Sequence, residues 1–178
     1  MRKVILQLAV SLDSFIEGPK GEYDWCLTDQ VYGMSDFFKQ VDTIFLARKS
    51  YDMMKDMPVD HNDPFMAQFA GVSQYVFSNT LAELSGTGSY QLVSGDIIPW
   101  TKDYKKTPGK DIWLFGGAGL TTTFMEHRLV DELALAVHPV LLGSGKPLFQ
   151  NLTGRIKLKL LSTNEYDTGL VRMKYGVK

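Results

Sequence analysis

With 178 residues and 44% hydrophobic content, the chain is long enough to bury a substantial core, and its length predicts one domain over 1–178. Lysine and arginine number 19 against 20 aspartates and glutamates, so a formal charge of −1 excludes a general attraction to nucleic acid or anionic lipid, and any anion site must be local. One cysteine, Cys26, excludes an internal disulfide framework, three histidines cannot complete a thiolate metal centre with it, and a reducing compartment fits.

Met1-Arg2-Lys3 ahead of the apolar run imitates a secretion signal, but Gln7 interrupts the run and no cleavage region follows. Val4–Ser11 reads instead as a strand buried on both faces, hence central. No stretch approaches the roughly 20 apolar residues of a membrane-spanning helix, so a cytoplasmic protein is expected. Ser11-Leu12-Asp13-Ser14-Phe15-Ile16, continuing through Gly18-Pro19, Gly21, Tyr23, Asp24 and Trp25, reads as a loop over a site. Asp13 there either orients a ligand or relays a proton, or it satisfies backbone donors of a turn. Trp25 either caps a cofactor ring or packs against the core.

A second buried strand, 43–47, leads into a helix over 48–57, ended before Pro58. Arg48, Lys49 and Ser50 open that helix, where two cations and a hydroxyl either meet an anion or form a solvated helix start. Residues 61–71, broken at Asn62-Asp63-Pro64, read as a surface loop and short helix. Strands follow at 75–77, ending in Ser78-Asn79-Thr80, and at Tyr90–Val93. Ser78 and Asn79 stand at a strand end that suits a ligand, or they bond to nearby backbone.

Strand 111–115 runs into Gly116-Gly117-Ala118-Gly119 and a helix over 120–127 with Leu120, Phe124 and Met125 on its apolar face. Paired glycines let a backbone approach an anion while the following helix directs free N–H groups at it; the alternative is a tight turn or close packing. The turn lacks G-x-G-x-x-G spacing and lies late in the chain, against an ordinary Rossmann domain. Strand 132–137, a loop from Pro139 through Lys146-Pro147, and an alternating hairpin of 157–161 and 170–175 about Asp167-Thr168-Gly169 complete the chain. The whole predicts a mainly parallel mixed sheet flanked by helices and closed by an antiparallel hairpin. His61, His127 and His138 show no metal-ligand spacing, so no metal is expected; Met53, Met54 and Met57 read as core filler. Ser144 lacks the spacing and context of a nucleophile elbow.

In this order, Ser11-Leu12-Asp13-Ser14-Phe15-Ile16, Ala47-Arg48-Lys49-Ser50-Tyr51, Ser78-Asn79-Thr80, Phe115-Gly116-Gly117-Ala118-Gly119-Leu120 and Val130-Asp131-Glu132-Leu133 to Leu148-Phe149 resemble the dihydrofolate-reductase-like superfamily. With Val137-His138-Pro139-Val140-Leu141-Leu142-Gly143-Ser144-Gly145, the nearer resemblance is to the reductase domain of bacterial bifunctional riboflavin-biosynthesis deaminase/reductases. It implies a three-layer fold, a homodimer, and an NADPH-dependent reductase of a small, pterin- or pyrimidine-like molecule. Gly116, Gly117, Ala118 and Gly119 would receive the pyrophosphate, Arg48, Lys49, Ser50, Ser78 and Asn79 would border the adenosine end, and Asp13 and Ile16 would line the nicotinamide side, with Asp13 the catalytic candidate. Trp25 and Met34 would lie toward the substrate.

Ala47 departs from the family's usual glycine, and Asn79 stands where an arginine often follows the serine, which leaves NADH open beside NADPH. Setting Phe37-Phe38-Lys39 against the corresponding helix of dihydrofolate reductases puts Met34 in place of their substrate carboxylate. A thioether cannot pair with a pterin as a carboxylate does, so dihydrofolate fits poorly unless Asp36 or Asp24 reaches in. The deaminase's zinc-binding residues are absent from the sequence. The alternative to an enzyme is a non-catalytic nucleotide or small-ligand binding module on the same fold.

Overall fold

A computed structural model describes residues 1–56, 64–86 and 88–178. Their frame is an eight-stranded sheet in the order β5-β4-β3-β6-β1-β7-β10-β9. The strands are β1 (Val4–Ser11), β3 (Val41–Ala47), β4 (Ser73–Phe77), β5 (Tyr90–Val93), β6 (Asp111–Gly116), β7 (Glu132–His138), β9 (Leu158–Glu165) and β10 (Val171–Val177), while β2 (Phe15–Glu17) and β8 (Lys146–Pro147) form a separate pair. The six strands from β5 to β7 pair in parallel, and β10 joins β7 antiparallel with β9 outside it. β1 lies between β6 and β7, the central position its apolar run predicts.

Period-two alternation divides these strands between two cores. Val4, Leu6, Phe45, Ile112 and Leu114 face one side with Phe124, under α4 (Ile97–Tyr104) and α5 (Ala118–Glu126). Ile5, Ile44, Leu46 and Trp113 face the other, under α1 (Met34–Gln40), α2 (Arg48–Met54) and α3 (Pro64–Ala70). Two helical layers on one sheet are the expected three-layer architecture.

Element limits move where backbone geometry overrides composition. The helix expected over 48–57 ends at Met54 with Lys55 as its cap, and Met57, Pro58 and His61 lie outside the described residues. The helix expected from 120 begins at Ala118, inside the glycine motif. The region expected to be a loop through Lys146-Pro147 contributes β8, whose partner β2 lies in the other expected loop, so the two loops are stitched together. α4 escaped the sequence reading; its start is set by Asp96, whose carboxylate accepts from the Ile98 N–H at 3.1 Å. Buried Arg2, next to the supposed signal-like start, serves the sheet: it pairs with Asp42, bonds Thr43 at 2.7 Å and lies 4.8 Å over the Tyr104 ring.

Candidate cofactor-binding site

The chain leaves β6 through Gly116 at φ 120° and Gly117 at φ 85°, conformations that side-chain-bearing residues rarely adopt. A Cβ at 117 would stand 2.5 Å from the Cβ of Ala47, so the β6–α5 turn rests directly on the β3–α2 junction. The first bond of α5 runs from the Thr121 N–H to the Gly117 carbonyl at 2.9 Å. The amides of Ala118, Gly119 and Leu120 therefore belong to the first helical turn, which has no intrahelical acceptors. A Cβ at Gly119 would meet nothing within 4 Å, so a glycine there keeps space open in front of those amides.

That space is a cleft of about 460 Å³. It gathers Arg48, Lys49, Ser78, Asn79, Gly117, Ala118 and Gly119 from the residues expected at a cofactor site, at the carboxyl ends of β3, β4 and β6. Lys146 and Thr123 join them, and among the described residues the lining contains three cations and no carboxylate. Carboxylates outside the lining hold two of those cations: Asp52 accepts from Arg48 Nε at 2.6 Å, and Glu17 from Lys146 Nζ at 2.7 Å. Asn79 Oδ1 accepts from the Gly95 N–H at 2.6 Å, which leaves its amide N–H groups for the cleft. Ser78 Oγ accepts from the N–H groups of Thr80 and Leu81, both at 3.2 Å. The two alternatives read from these residues, backbone bonding and ligand contact, are thus compatible.

Ser50 flanks the cleft, its Oγ 3.9 Å from the position of a Cβ on Gly117, and Gly116 forms the turn beneath it without lining it. Ile16 packs against the core that also holds Leu120. Asp13 is not in the lining; its carboxylate accepts from Ser11 Oγ at 2.6 Å, Gly143 N–H at 2.8 Å and Leu142 N–H at 3.2 Å. The Ser11 hydroxyl, with the Gly143 and Leu142 amides, holds this carboxyl below its usual range. Asp13 thereby pins the loop after β1 to the loop before β8. Trp25 and Met34 lie on the sheet's other face: Met34 packs with Phe37 in the α1-side core, and Trp25 meets His138 edge to face. Asp36 is exposed and paired with Lys39 at 2.7 Å, and Asp24 is exposed. Among cleft residues, the sequence reading passed over Lys146, Thr123 and Gln150. Thr123 offered a signal, one turn past Gly119 on the same helix; Lys146 gave none beyond its place in a glycine-rich loop.

Burial holds His138 neutral, its pKa below the usual range, against a smaller opposing pull from the carbonyls of Ala136 and Val10. With the folded value depressed, the unfolded chain takes up a proton first, so stability is full above about pH 6.5 and falls as pH drops through and below that value. We predict a Tm that declines between about pH 6.5 and 5, with His138→Gln flattening that limb; an unaltered profile in the variant would contradict the assignment. Asp13 and Asp36 are held low and their contributions fade only further down, below about pH 4. Burial, with Asp24 nearby, pushes the Cys26 thiol up to about 11, so it is a poor nucleophile.

A doubly covered, mainly parallel sheet with a cationic cleft at its strand ends defines a three-layer α/β protein. The chain belongs to the RibD C-terminal domain family, whose model matches residues 2–172. It is 43% identical over 179 residues to the uncharacterized protein YyaP of Bacillus subtilis, covering 98% of this chain and 94% of that one. Its fold is that of a putative riboflavin biosynthesis protein from Shewanella sp. PV-4, with a TM-score of 0.82, 24% identity and 99% of each chain covered. An Enterococcus faecalis dihydrofolate reductase, solved with NADP(H), superposes with a TM-score of 0.66 at 13% identity, covering 99% of this chain and 96% of that one.

Proposed function

We propose that the chain is a cytoplasmic NADPH-dependent reductase of a small, pterin- or pyrimidine-like molecule, acting as one domain over 1–178. The observation that carries this reading is the cleft lining: among the described residues, three cations and the open first turn of α5 with no carboxylate. The donor set fits a dinucleotide. The Ala118, Gly119 and Leu120 amides and the α5 dipole suit the pyrophosphate, while Arg48, Lys49 and the Asn79 amide suit a 2′-phosphate. Lys146 closes the cleft with a further cation. When bound, the cofactor supplies the hydride. The chain's share is to orient and shield: Asp13, by holding the 142–143 amides, fixes the loop pair that carries Ile16 and Lys146. Asp13, the catalytic candidate of the sequence, is in this reading a positioning residue that acts through the loop it holds.

Titrating the protein with NADPH and NADH while following nicotinamide fluorescence tests the reading. NADPH is expected to bind at least ~10-fold tighter, since one charge-assisted contact to the 2′-phosphate is worth ~1.5–3 kcal/mol. Binding of neither at millimolar concentration would overturn it. Tight binding without cofactor oxidation on carbonyl, pterin and pyrimidine compounds would replace the enzyme with a binding module.

The hairpin supports a homodimer as part of the same proposal. β9 has β10 on one side only among the described strands, and it exposes Leu158, Leu160 and Leu161 at 39%, 52% and 46%. Sedimentation is expected to give twice 20.0 kDa, falling to the monomer in Leu160→Glu. A monomeric wild type would remove the dimer from the proposal.

A further inference from the structure

Two side chains outside the cleft bury polar atoms for which the described residues supply no hydrogen bond, and their rings touch. Trp25 and His138 meet edge to face at 87°, centroids 5.3 Å apart, and Trp25 Nε1 and His138 Nε2 are both sealed from solvent without a partner. Each such atom costs ~1–3 kcal/mol, and in a native fold it marks something unaccounted for. Gln74 Oε1 and Thr101 Oγ1 are likewise buried without a partner among the described residues, but each stands alone, whereas Trp25 and His138 adjoin; the other buried indole, Trp113 Nε1, donates to the Gln7 carbonyl at 2.8 Å.

His138 Nδ1 lies 3.0 Å from the Ala136 carbonyl oxygen, which can only accept; with the proton assigned to Nδ1 on that contact, Nε2 of the neutral ring is an acceptor. Indole Nε1 is solely a donor. One donor and one acceptor on adjoining rings complement an amide edge, a carbonyl beside an N–H.

Their position suits a ligand. His138 ends β7 and is in register with Ser11 at the end of β1, so it stands at the carboxyl rim of the same parallel sheet whose strands β3, β4 and β6 hold the cleft, on the sheet's other face. Trp25 belongs to the connection between β2 and α1, where the backbone bonds close on the segment itself: Gly18 N–H to Glu22 O, Gly21 N–H to Gly18 O, and Cys26 N–H to Tyr23 O. Lifting Trp25 breaks no sheet bond, which gives a ligand a way in.

We propose that Trp25 and His138 recognise an amide edge of the molecule bound at this rim, the indole N–H donating to its carbonyl oxygen and His138 Nε2 accepting from its N–H. The inference rests on the reductase reading, which offers two sources of that edge: the carboxamide of a nicotinamide ring, and a cyclic amide in the acceptor.

The three tryptophans give separate indole N–H resonances in ¹⁵N-labelled protein, and Trp25→Phe assigns that of Trp25. NADP⁺ is added first, then uracil as a cyclic-amide probe. The Trp25 resonance is expected to move on one addition, and Trp25→Phe and His138→Phe to weaken that same ligand about 10-fold, the scale of one hydrogen bond, with His138→Gln recovering part of the loss. Movement with NADP⁺ assigns the carboxamide, and movement with uracil alone assigns the acceptor. A Trp25 signal unmoved by both while the Gly117 and Gly119 amides report bound NADP⁺ overturns this inference and leaves the cofactor reading standing. Movement with uracil but no response anywhere to NADP⁺ does the reverse, and silence to both overturns both.

Discussion

Gly117→Asp is expected to abolish dinucleotide binding, with a loss of at least ~100-fold in affinity. Three effects add. The residue would be held at φ 85°, where a side chain is strained by ~1–3 kcal/mol. Its Cβ would stand 2.5 Å from that of Ala47, so the turn or the β3–α2 junction must shift. The carboxylate would then face the position proposed for the pyrophosphate, among Arg48, Lys49 and Lys146, and offer those cations an internal partner. Gly119→Ala separates the ligand effect from the fold. Its Cβ meets no protein atom within 4 Å, and alanine is better in a helix by ~1 kcal/mol. It should therefore keep or raise Tm while weakening NADPH. Fluorescence titration and thermal melting of both variants check this; undiminished affinity in folded Gly117→Asp would remove the glycine turn from the site.

Phe124→Ala is expected to be the most damaging single truncation beneath the site, at ~3–5 kcal/mol. Phe124 is wholly buried on α5, and its ring lies 5.7 Å from Phe77 and 6.2 Å from Phe45, which ties the helix to β4 and β3. At ~2–4 °C per kcal/mol for a chain of this size, Tm should fall by about 10 °C. The urea midpoint should drop with an unchanged slope. Because Phe77 also lines the cleft, cofactor should restore part of the lost stability through mass action. A loss below ~1 kcal/mol would mean that α5 is held by something other than this aromatic stack.

Much of the sheet was legible because a buried parallel strand leaves an unmistakable trace: the apolar runs at Val4–Ser11, Tyr90–Val93 and around Phe45 and Trp113 are strands near their expected limits. α4 was not read although Ile97, Trp100, Thr101 and Tyr104 recur at helical spacing toward the core, because Pro99 reads as a breaker within so short a segment and its start depends on the Asp96 cap. β2 and β8 were not legible for a different reason. Strands of three and two residues carry no periodicity, and each exists only through the other.

The cleft divides in the same way. The sequence by itself determined the glycine turn, the cations opening α2 and the polar end of β4, because each is a local device: a backbone conformation, a helix start, a strand end. Tertiary structure alone decided that these three points converge with Lys146 on one space with no carboxylate among its described lining residues, because convergence depends on the order of strands in the sheet. It also decided that the Asp13 carboxylate is taken up by the 142–143 amides, about 130 residues along the chain, and that Trp25 and His138 meet. Contacts between residues so distant in sequence leave no mark in the spacing of either.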